Sequence, residues 1–65
     1  MTEATPLPPV PGAPARRALE AAGVHSLEDL ARMRVEEALD MHGIGPKAFT
    51  VLAEAMIAAG LRFAD

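Results

Sequence analysis

The sequence predicts an all-α fold, a compact bundle of four to five helices, and three observations carry that prediction. Apolar residues recur at helical spacing: Phe49, Leu52, Met56 and Ala59 mark one face of the run after Pro46, and Ala15 and Leu19 mark one face of the run after Pro14. Proline and glycine act as helix punctuation, with Pro14 and Pro46 suited to first turns and Gly23 and Gly60 to ends. The chain is also rich in alanine and has no Tyr or Trp, a composition for helices packed through small side chains.

Taken in order, residues 1–11 read as a flexible tail. Pro6, Pro8, Pro9 and Pro11 exclude regular helix or central strand there and favour polyproline-like extension. The domain proper is residues 12–65. Its first helix is expected over 14–22, with Ala15 and Leu19 facing inward, Ala18 and Ala22 as close-packing positions, and Val24 anchoring the connection after Gly23. Ser26 starts a second helix over 26–31. Its hydroxyl can cap the first turn while Asp29 returns a bond, a variant of the capping box. His25, beside Glu28 and Asp29, reads as the residue before that cap, with the acids complementing the helix dipole. Val35, Ala38, Leu39 and Met41 define a short helix over 35–41, and a longer one follows over 46–59. The expected core is Leu19, Val24, Leu27, Leu30, Leu39, Ile44, Phe49, Leu52 and Met56. A faint repeat at an offset of 33 residues matches Gly12 with Gly45, Ala15 with Ala48 and Leu19 with Leu52.

A 65-residue chain is one small domain. At this size only ~60% of the unfolded surface is buried, so stability is modest. With no cysteine there is no disulfide framework and no thiolate metal site, which fits a reducing cytoplasm. No apolar run reaches membrane-spanning length, and the N-terminus lacks a basic start followed by an apolar stretch. A cytoplasmic protein without a membrane partner is the expectation. No Ser/His/Asp set, metal-ligand spacing or nucleotide fingerprint is present, and there is little room for a substrate cleft, so the reading is not an enzyme.

The chemistry-bearing stretch is His42-Gly43-Ile44-Gly45-Pro46-Lys47. Two glycines allow positive φ and close approach of another molecule to the main chain. Pro46 opens a helix whose free N–H groups point outward beside Lys47, an arrangement suited to phosphate. It is not a P-loop, because the Lys-Ser/Thr ending and a preceding strand are missing. The net charge of −3 opposes nucleic-acid binding, which basic domains usually perform. The acid is concentrated in Glu28, Asp29, Glu36, Glu37 and Asp40, however, leaving Arg16, Arg17 and Lys47 outside it.

Helix, Gly-Ile-Gly turn, helix: this resembles the helix-hairpin-helix motif of DNA-binding proteins. Over Gly12 to Phe63, about four-fifths of the chain, the sequence is similar to the C-terminal domain of the bacterial RNA polymerase α subunit and to small stand-alone proteins sharing it. The residues that carry the likeness are Ala18-Leu19, Gly23-Val24, Leu27-Glu28-Asp29-Leu30, Glu37-Ala38-Leu39, Gly45-Pro46-Lys47, Leu52 and Gly60-Leu61. The resemblance implies a double-stranded DNA partner. Carried over by position, it implicates Arg17, Gly45, Lys47 and Ala48, and in several such proteins a monovalent cation sits among the hairpin carbonyls. The residues themselves add Gly43 for close approach, the main chain of Ile44, Gly45, Pro46 and Lys47 for a phosphate, and Arg16 or Arg17 for a neighbouring one. Where the polymerase domain carries an arginine that enters the minor groove, this chain has Pro14. A polar and an acidic contact position are Ala48 and Val51 here. The resemblance therefore implies sequence-independent phosphate binding rather than readout of A·T shape. The alternative is a protein–protein module, an accessory in transcription or repair, built on the same helical fold.

Overall fold

The computed structural model describes residues 4–65, and its elements follow from local signals in the chain. Helix α1 spans Ala13–Ala21, α2 Leu27–Leu30, α3 Val35–Asp40 and α4 Pro46–Ala58. Each lies within one residue of its expected limits, and no strand forms among the described residues. Pro14 and Pro46 occupy first turns, where a missing N–H is harmless.

Both long helices end in the same device. Gly23 (φ 76°) and Gly60 (φ 74°) take the left-handed conformation after α1 and α4. Val24 N–H then donates to Leu19 C=O and Leu61 N–H to Met56 C=O, each at 2.8 Å, with Gly23 and Gly60 donating one turn back at 3.0 Å. This is the Schellman arrangement, which also folds Val24 and Leu61 inward onto the core.

The two short helices depend on acidic caps. Ser26 Oγ accepts Asp29 N–H at 3.2 Å, while the Asp29 carboxylate accepts His25 N–H at 3.0 Å rather than that of Ser26. The His25 N–H bond, with a smaller contribution from the Ser26 hydroxyl, holds the Asp29 carboxyl below its usual range. At α3, Glu37 accepts Arg34 N–H at 2.9 Å and Asp65 accepts Val35 N–H at 2.8 Å. The last residues therefore return to start α3. Ala64 N–H donates to Met33 C=O at 2.8 Å, and Phe63 stacks on Phe49 with ring centroids 5.6 Å apart. Most of the acidic cluster thus compensates two helix N-termini.

The core sits where α2 packs on α4 and α1 closes over them. It comprises Leu19, Val24, Leu27, Leu30, Ala38, Leu52 and Met56, with Ala15 and Ala48 also buried. Two expectations are corrected. Leu39 is 51% exposed, and Ala38 takes its place. In a helix of six residues only one side faces inward, and Val35, Ala38 and Met41 share it at a spacing of three. On α4 the buried stripe is Ala48, Leu52 and Met56; Phe49 is half-buried and Ala59 exposed.

The N-terminal segment also departs from expectation. Of residues 1–11, the first three lie outside the described residues. The rest does not behave as a free tail. Thr5 donates to Glu28 twice at 2.7 Å, from its N–H and from its hydroxyl, and its carbonyl accepts Leu27 N–H at 2.9 Å. Leu7 and Val10, three residues apart on an extended chain, pack against the core, while Pro6 and Pro9 face solvent. The radius of gyration is 10.7 Å, against roughly 11 Å expected of a folded chain this long, which agrees with a docked arm.

The Thr5 hydroxyl, then its N–H, hold the Glu28 carboxyl below its ordinary value of 4.5. A carboxylate lowered by folding stabilises the docked arm above its unfolded value, and that contribution is lost as pH falls through the folded value. The arm should therefore stay docked at neutral pH and release below about pH 4.5. Thr5 and Leu27 amide resonances, followed by NMR during acidification, should move toward free-arm positions, and Glu28→Ala should place them there at neutral pH. Unmoved resonances in that variant would show that Leu7 and Val10 hold the arm unaided.

Candidate functional site

Among the described residues, four helices present four N-termini, and these are treated in two ways. Those of α2 and α3 carry acidic residues in the first turn and are capped by Ser26, Glu37 and Asp65. Those of α1 and α4 have glycine caps, Gly12 and Gly45, with no side-chain cap and no acid in the first turn. These two uncompensated ends open onto one shallow depression of about 430 Å³, lined among others by Gly12, Ala15, Gly43, Gly45, Lys47 and Ala48.

The repeat at offset 33 explains the pairing. Ala15 and Ala48, and Leu19 and Leu52, are all buried. Each helix thus uses the same Ala-x-x-x-Leu face to enter the core, which brings the two glycine caps to the same side. At α4 the first helical bond is Phe49 N–H to Gly45 C=O, 3.0 Å. The N–H groups of Lys47 and Ala48 precede it and have no intrahelical acceptor. Their partial positive charge adds to the α4 dipole and the Lys47 ammonium, which is exposed.

The two glycines of the turn have different tasks. Gly43 has φ 101°, and a Cβ there would lie 2.7 Å from the Pro14 carbonyl oxygen. It is small because α1 lies against it. Gly45 has φ −90° and ψ 177°, an extended conformation open to any residue, so the expected positive φ at this position is corrected. A Cβ at Gly45 would meet nothing within 4 Å. Gly45, not Gly43, leaves open space.

The remaining expected residues divide similarly. Ile44 is half-buried against the core, and its N–H donates to Met41 C=O at 3.1 Å, so that amide serves the turn itself. Pro46 has no N–H to offer. Ala48 is 3% exposed, so only its main chain can reach a ligand. Arg17 borders the turn. Pro14, Arg17 and Ala18, on one side of α1, line a second depression with His42 and Gly43. Arg16 lines a depression with Leu7, Pro8, Pro9 and Val10, away from the turn, and a further one shared with Arg17 and Glu20. Two contributors to the face were absent from the expected set. Gly12 was visible only through the repeat, and His42 only as the neighbour of the turn.

Among the described residues, no helix is long and apolar enough to cross a membrane, and no three His, Cys, Asp or Glu side chains gather as a metal site. No family model, curated protein or solved structure matches the chain.

Proposed function

We propose that this protein binds double-stranded DNA weakly and without sequence preference, through phosphate contacts at the α3–α4 turn, as a helix-hairpin-helix domain. One observation carries the reading: α2 and α3 have side-chain caps and acids in their first turns, whereas α1 and α4 have glycine caps, no first-turn acid, and face one depression beside Lys47. Anions bind at such helix ends. The net charge of −3 does not oppose this locally, because the capping carboxylates are committed to α2 and α3. Main-chain N–H groups would hold a phosphate oxygen, Lys47 would add charge, and Arg17 would contact the neighbouring backbone. No base-reading side chain enters this account. The likeness to the polymerase α-subunit domain supports the reading through the motif residues already named.

Two neutralised phosphates give a slope of about −1.8 in log affinity against log salt, and a third, if Arg16 reaches one, about −2.7. Titration of labelled duplex DNA between about 50 and 200 mM salt should show a loss of roughly 10- to 40-fold. Absence of binding at the lower salt overturns the proposal. The protein-module reading would then stand, favoured by the exposed Leu39 (51%) and Ile57 (76%).

A further inference from the structure

The geometry points to a second anion subsite on this face, formed by Arg17 and His42, which takes the next phosphate of the same strand and couples DNA binding to protonation of His42. The inference rests on the phosphate-binding reading above. The depression of about 360 Å³ lined by Pro14, Arg17, Ala18, His42 and Gly43 shares Pro14 and Gly43 with the one at the two helix ends. The two therefore form one continuous track, with Lys47 at one end and Arg17 and His42 at the other. Both of these side chains are exposed, and they arrive from different elements, α1 and the turn after α3.

Among the residues lining that depression, Arg17 is the charged group facing His42. Along its own segment the charged neighbours are Asp40 and Lys47, both exposed, and on the other side of Arg17 the Glu20 carboxylate lines a further depression together with Arg16 and Arg17. A phosphodiester seated between the two groups favours the imidazolium, because a protonated imidazole both donates a hydrogen bond and neutralises charge. Binding and protonation are then reciprocal: acid tightens DNA binding, and DNA draws a proton onto His42.

The chain has two histidines, which makes the test internally controlled. The parent, His42→Ala and His25→Ala are titrated with labelled duplex DNA across a salt series at about pH 8 and pH 5.5, with circular dichroism confirming the fold at each pH. The parent and His25→Ala should bind about tenfold more tightly at the lower pH, with a salt slope steeper by about 0.9. His42→Ala should show neither change. A pH-independent slope in the parent, or a pH effect that survives in His42→Ala, overturns this inference while leaving the phosphate reading intact. Absence of DNA binding at both pH values overturns both.

Discussion

Replacing Gly45 by Asp should stabilise the domain and abolish most of its DNA affinity. The two effects come from the same atoms. Gly45 caps α4 with φ −90° and ψ 177°, the extended conformation that capping residues adopt, and nothing lies within 4 Å of a Cβ there. Asp is among the best capping residues, and its carboxylate at a helix start gains a further ~0.3–1 kcal/mol from the dipole. A gain of about 0.5 kcal/mol raises Tm by roughly 2–4 °C in a domain this small. That carboxylate would occupy the N–H groups of Lys47 and Ala48 and place a negative charge where phosphate should sit. Losing one charge-assisted hydrogen bond costs about 1.5–3 kcal/mol, so affinity should fall at least about tenfold. Thermal melting and DNA titration of the same sample measure the two effects. Parental affinity in a variant with a raised Tm would reduce the turn to a joint between helices.

Leu52→Ala should remove most of the stability. Leu52 is 1% exposed at the centre of the α4 stripe, and truncation of such a residue costs ~2–5 kcal/mol through lost burial and the cavity left behind. A domain of 65 residues holds roughly 3–10 kcal/mol in all. Leu39→Ala deletes the same atoms from a site 51% exposed, and should cost under about 1 kcal/mol. Urea unfolding of the pair should give a lowered midpoint for Leu52→Ala and one close to the parent for Leu39→Ala. Similar midpoints would mean that the two leucines are equivalent and the assigned core is misplaced.

What the sequence by itself determined was the set of helices and their ends. Those signals act within a few residues: a proline in a first turn, a glycine at φ near 75° after a last turn, Ser26 three residues before Asp29, alanine and leucine four apart on one face. Such features hold whatever lies across the molecule, so they were legible in order along the chain. The tertiary structure decided the rest, because each remaining question concerned residues far apart in sequence. Gly43 and Gly45 look alike in the chain, but only one meets the Pro14 carbonyl of another helix. Arg16 and Arg17 are adjacent, but a helical step of about 100° sends one beside the N-terminal arm and the other beside His42. The arm itself, the return of Asp65 to the start of α3 and the stacking of Phe63 on Phe49 link segments 14 or more residues apart. No local pattern announces such a contact, since it exists only once the helices have packed.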